Sequence, residues 1–143
     1  NRTASAVRSI FTKNGGNLGE TGSVSFMFDH LGILSYKIEK ADAEKVMELA
    51  LEIDAVDIVS DEENHTFYTT VSNFASSTEA LAKVLGDPTE AAIGWRPQNT
   101  ILVDDLDKAK TLLKMINALE DDDDVQNVYT NYEFPDDFYE KLN

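Results

Sequence analysis

Between residues 32 and 97 the sequence changes its hydrophobic period in an order that few folds accept. Gly32–Ile38 offers Ile33, Leu34, Tyr36 and Ile38 for burial and reads as a strand. Lys40–Asp54 follows with Val46, Leu49, Ala50 and Ile53 at helical spacing, and Asp42 stands where a helix N-cap is wanted. Val56–Ser60 and Thr66–Val71 are rich in β-formers and flank the turn Asp61-Glu62-Glu63-Asn64. Asn73 to Leu85 is again helical and is stopped by Gly86-Asp87-Pro88; Glu90–Arg96 is a strand that ends at Pro97. The order is β-α-β-β-α-β. It predicts a ferredoxin-like unit, with two helices on one face of an antiparallel sheet.

The flanking segments lack a complete unit of their own. Thr3–Lys13 reads as a helix with Ala6, Val7, Ile10 and Phe11 on one face, and Asn14-Gly15-Gly16-Asn17 ends it. Ser23–Phe28 alternates Val24, Phe26 and Phe28 and reads as a strand, with a turn at His30-Leu31-Gly32. After Pro97-Gln98-Asn99 come a strand at Thr100–Val103 and a helix from Leu106, for which Asp104 or Asp105 is the cap. Its apolar face is Leu106, Ala109, Leu112, Leu113, Ile116 and Leu119. Five acids, Glu120–Asp124, then meet the helix end whose dipole disfavours them, so the helix is expected to stop there. A strand at Val125–Asn131 and a tail complete the chain. The expected fold class is α+β: residues 32–97 form a ferredoxin-like domain inserted into a second small α+β domain made of residues 1–31 and 98–143.

Charge narrows the function. The chain has 143 residues and a formal net charge of −15. A protein this acidic does not bind a phosphate backbone through its average field. The distribution is uneven, however: residues 1–19 carry Arg2, Arg8 and Lys13 and no acid, and the rest of the chain carries −18. The acidic part is a solvated surface in the simplest account; it can also repel nucleic acid or engage a basic protein partner. With no cysteine, disulfides, CxxC redox chemistry and thiolate zinc sites are excluded. No apolar run approaches the roughly 20 residues of a membrane-spanning helix, and no secretory pattern opens the chain. A cytoplasmic location is expected. The first residue is Asn, so a fragment or processed product is expected.

Catalytic signals are weak. The glycines after the first helix lead from a helix into a strand, the reverse of a phosphate-cradling loop, and no Gly-Lys-Ser follows. His30 and His65 are the only histidines, near turns, with no local triad spacing. Glu120–Asp124 lacks the alternation and central glycine of a calcium loop. Trp95 and Arg96 can stack on a base at a strand end, or pack at a domain junction. The aromatic residues Tyr129, Tyr132, Phe134, Phe138 and Tyr139 can form a contact surface, and fit better the docking of the tail on its own domain. The expectation is a non-enzyme without cofactor or metal. Any nucleic-acid contact should centre on Arg2, Arg8 and Lys13, with Gly15 and Gly16 allowing close backbone approach and Asn14 and Asn17 as neutral donors.

Three stretches also carry a family likeness. They are Asn1-Arg2-Thr3 leading through Val7-Arg8 to Lys13–Gly19, then Gly22-Ser23-Val24 with Phe26 and Phe28, and Leu119 through the acidic run to Asn131. Together they resemble the YebC family of bacterial gene-expression regulators, whose mitochondrial relatives activate translation of a cytochrome oxidase subunit. The resemblance extends over essentially the whole chain. It implies the second and third domains of a three-domain protein, without the basic helical first domain. It also implies a transcriptional regulator binding DNA, or a translation factor acting on RNA at the ribosome, with the absent domain contributing much of the affinity. A different expectation, from the paired α+β units alone, is an acidic module that binds a protein or a small ligand.

Overall fold

The computed structural model describes residues 2–142; Asn1, the start of the first family-like stretch, and Asn143 lie outside them. The chain divides into two compact units, Asn1–Phe28 with Pro97–Asn143, and Asp29–Arg96. The second unit therefore lies, in sequence, between the two segments of the first. Residues 29–31 belong to it rather than to the flanking unit expected for them.

The Asp29–Arg96 unit is the β-α-β-β-α-β arrangement. Its elements are β1 (Phe28–Lys37), α2 (Ala43–Glu52), β2 (Asp57–Ser60), β3 (Asn64–Thr69), α3 (Phe74–Leu85) and β4 (Glu90–Pro97), after α1 (Arg2–Lys13) in the other unit. The sheet order is β2-β3-β1-β4, and β1–β3 and β2–β3 are antiparallel. One face of the sheet is the core: Leu34 and Tyr36 from β1 and Phe67 from β3 pack against Val46, Leu49 and Ala50 of α2 and Leu81 and Leu85 of α3. These are the period-3.6 positions of the two helices. Asp42 caps α2, its carboxylate accepting from the Lys45 amide at 2.8 Å. At the far end Asp54 takes a left-handed conformation, φ 57°, while the Ala55 amide donates to the Ala50 carbonyl. That is a Schellman stop with Asp in the usual glycine place, which a short polar side chain tolerates.

The expected turn at His30-Leu31-Gly32 is instead part of β1. A glycine there is read as a turn by pattern, but Gly32 is needed for packing. A β-carbon on it would overlap the Thr69 hydroxyl and come within 2.5 Å of the Phe74 ring.

The other unit holds α1, β5 (Ile101–Leu102), α4 (Leu106–Asp121), β6 (Tyr132–Glu133) and α5 (Phe138–Lys141). Asp105, not Asp104, caps α4, accepting from the Lys108 amide at 3.1 Å. The helix ends at Asp121, inside the acidic run. The core gathers Ala109, Phe134 and Phe138, with Leu106, Leu112, Leu113 and Tyr132 packed on it, so the tail docks on its own unit. Two expected strands are corrected. Ser23–Met27 is a turn with a 3-10 segment at Ser25–Met27, and Phe28 already opens β1; Val24 and Phe26 alternate but are exposed, and among the described residues no strand pairs with them. The expected strand at Val125–Asn131 is irregular: β6 begins at Tyr132 and pairs in parallel with the two-residue β5. Only the Asn131 carbonyl joins in, accepting from the Ile101 amide at 2.7 Å.

Candidate nucleic-acid interface

Helix α1 carries the cationic residues singled out by the sequence. Its intermediate positions, Ala6, Val7, Ile10 and Phe11, form the apolar side, whereas Arg2, Arg8 and Lys13 are all exposed. Around the helix axis Arg2 and Lys13 point almost the same way and Arg8 to the side. They form a basic rim rather than a stripe. The start of the helix is tied to the acidic turn by the Thr3 hydroxyl, which donates to Asp124 at 2.9 Å.

The loop after α1 is a helix stop of defined chemistry. The Gly16 amide donates to the Phe11 carbonyl at 2.8 Å and the Gly15 amide to Thr12 at 3.2 Å, the two bonds of a Schellman motif. Gly15 stands at φ 81°, with open space around it. Asn14 donates its side-chain amide to the Ile10 carbonyl at 2.8 Å. Both glycine amides are thus turned into the helix end. Asn17 is exposed. Asn14, Gly15 and Gly16 border an open hollow of about 460 Å³ against α4, which also meets Lys108, Thr111 and Asp107. So the structure brings Asn14, Gly15 and Gly16 together with one further cation, Lys108, which the sequence analysis did not single out. Arg2 and Arg8 do not border this hollow.

The remaining candidates separate clearly. His65, expected near a turn, is only 3% exposed. Its Nε2 lies 2.8 Å from the Ala41 carbonyl and its Nδ1 2.6 Å from the Ser60 hydroxyl. A carbonyl only accepts, so Nε2 carries the hydrogen, and in the neutral ring Nδ1 accepts from Ser60. Ser60 and His65 are direct cross-strand partners beside the hairpin turn. The pair knits that hairpin to Ala41, the residue before the α2 cap Asp42. His30 is exposed and stacks on Trp95, centroids 4.4 Å apart. Arg96 is held by Asp57 at 2.9 Å and lies over the Tyr68 ring, 3.9 Å from its centroid. Trp95 and Arg96 therefore serve two different local contacts. The Asp57 carboxyl is lowered below its ordinary range, first by the hydrogen bond from Arg96 and then by that from the Ile58 amide. The backbone amides of Asn64 and Glu63 lower that of Asp61 in the hairpin turn.

Comparison with known proteins gives this geometry its context. The model of the TACO1/YebC second and third domains matches residues 1–132. A probable transcriptional regulatory protein of Rickettsia bellii is 54% identical over 142 residues, which is 99% of this chain and 56% of that protein. One from Orientia tsutsugamushi is 50% identical over 139 residues, 97% of this chain and again 56% of the relative. The chain thus spans little more than half the length of the curated relatives it matches. The crystal structure of a conserved hypothetical protein of Aquifex aeolicus superposes with a TM-score of 0.85 at 38% identity, covering 94% of this chain and 56% of that one. Sequence and fold agree over nearly every residue: the chain belongs to the TACO1/YebC family and comprises its second and third domains.

Proposed function

We propose that the protein is a non-enzymatic regulator of gene expression that contacts nucleic acid through the basic rim of α1. The observation that carries this reading is the segregation of charge. Arg2, Arg8 and Lys13 are all exposed on one helix, and no acid occurs before Glu20 in a chain of net charge −15. Relatives named as probable transcriptional regulatory proteins support a regulatory role. The contact is electrostatic and positions the chain on phosphates; it reads no base sequence. Asn14 and Asn17 flank the rim as neutral donors. The acidic remainder of the chain limits affinity, so the rim orients the protein while further cationic surface in the longer family members strengthens the complex. The site of action is the cytoplasm, on DNA or, as a translation factor, on RNA at the ribosome.

The test is a salt titration of binding to duplex DNA, single-stranded RNA and purified ribosomes. Weak binding is expected, with a log K against log salt slope that shrinks by about 0.9 per lost duplex phosphate contact in Arg2→Ala/Arg8→Ala/Lys13→Ala. Preference among the three targets separates DNA-directed from ribosome-directed action. Unchanged binding by the triple variant rejects the α1 rim as the contact.

A further inference from the structure

The first unit also holds an apolar groove of about 410 Å³ whose occupant the fold leaves open. Phe11 of α1, Met115 and Ile116 of α4, Ile101 of β5, Met27 and Tyr129 border it. Among the described residues no charged side chain lines it. Several of its walls face solvent: Ile101 is 60% exposed and Val24 55%, and Met27 and Tyr129 are also exposed. An open apolar hollow of this kind marks an interaction surface more often than a packing fault. Two of the chain's three methionines border it, and methionine adapts its shape to varied apolar partners.

The chemistry of the partner follows from the groove's end. Leu119 and Val128 both line the groove, and the acidic run Glu120–Asp124 begins directly after Leu119. Glu120 shares a smaller neighbouring hollow with Val125–Val128, and Val128 borders both, so the first carboxylate of the run stands beside the groove's end. An apolar floor with the Glu120 carboxylate at one end, the first of an acidic run, complements a segment with apolar anchors on one side and Lys or Arg beside them. We infer that this groove docks a basic amphipathic helical segment of a partner protein. A neutral apolar molecule would make no use of the acids, and nucleic acid would be repelled by them. The inference is independent of the α1 rim.

The probe is a fluorescein-labelled helical peptide of about 18 residues with Leu at i, i+3, i+4 and i+7 and Lys elsewhere. Its control keeps the Lys and replaces every Leu by Ser. Fluorescence anisotropy is read with the full chain and three variants, each checked for folding by circular dichroism. Ile101→Ser/Met27→Ser alters exposed groove walls. Glu120→Gln/Asp123→Asn neutralises the acid beside the groove and one more of the run, and Glu62→Gln/Glu63→Gln removes the same charge from the hairpin turn of the other unit. The Leu/Lys peptide should bind, with about tenfold loss both for the Ser peptide and for the Ile101/Met27 variant. The Glu120/Asp123 variant should weaken binding and flatten its salt dependence, and the Glu62/Glu63 variant should match the parent. Absence of binding, or equal binding of the Ser peptide, overturns the proposal. So does an equal effect of the Glu62/Glu63 variant, which would mean general attraction to an acidic protein. A dimer in the absence of peptide that Ile101→Ser/Met27→Ser dissociates would make the occupant a second copy and overturn it as well.

Discussion

Arg96 reaches Asp57 with its Nη1 2.9 Å from the carboxylate, and so joins β4 to β2, the two outer strands of the four-stranded sheet. On the way its guanidinium covers the ring of Tyr68, the cross-strand partner of Asp57. The pair is partly solvated, with side chains 31% and 45% exposed, so its net worth is that of a surface pair. A double-mutant cycle with Arg96→Ala and Asp57→Asn should give a coupling of about 1 kcal/mol or less. The Asp57 carboxyl is lowered in the folded state. Its contribution is therefore complete above the unfolded value of about 3.9 and fades as pH falls through the lower folded value. Urea unfolding should show the same coupling at pH 5 and pH 8, and a smaller one at pH 2.

Gly32 sits in β1 opposite Thr69, against the first residue of α3. Gly32→Ala should lose about 1–3 kcal/mol, the usual cost of overfilling a packed site. Strand propensity alone would favour Ala there. A variant as stable as the parent would mean that α3 can move away from the sheet at no cost, and thermal melting decides this directly.

His65 has both ring nitrogens engaged within the fold. In His65→Leu the Ala41 carbonyl loses its donor, and about 1–3 kcal/mol should go with it. His65→Gln can offer an amide N–H to the same carbonyl and should recover part of that. Equal stability of all three proteins in urea would show that water replaces the ring without loss.

Helices α2 and α4 were legible because each combines a period of 3.6 with a cap. Asp42 and Asp105 were readable as carboxylates placed before an apolar stripe, and both accept the expected amide. The strand order of the second unit was legible for the same reason: each strand is bounded by a helix or a tight turn. The errors fall where local pattern had no tertiary partner. Val24 and Phe26 alternate like strand residues, but a strand needs a neighbour, and among the described residues none pairs with them. In Val125–Asn131 the apolar residues suggested a strand, yet β5 supplies only two residues to pair with. The groove was not legible at all. Phe11, Met27, Ile101, Met115 and Tyr129 lie far apart in sequence, and no local period links them. The Ser60–His65 pair was hidden for a related reason, since the register of a hairpin decides which residues face each other.

The loop after α1 allows stability and binding to be separated. Gly15 holds a left-handed conformation that costs an L-residue about 1–2 kcal/mol, so Gly15→Ala should destabilise the chain by that order. Its amide and that of Gly16 donate into the helix end and are not directed at a ligand. Below the melting temperature Gly15→Ala should therefore bind nucleic acid as the parent does, with the same salt slope. Arg8→Ala should do the reverse. The side chain is exposed in mid-helix, and alanine suits that position, so stability should change by no more than about 0.5 kcal/mol. The salt slope should fall by about 0.9 if Arg8 meets a duplex phosphate. Melting curves and salt titrations on the two variants make the comparison. If Gly15→Ala weakens binding while folded, the loop backbone is part of the contact and the cationic rim is not sufficient. If Arg8→Ala leaves both quantities unchanged, the residue is an ordinary solvated helix position.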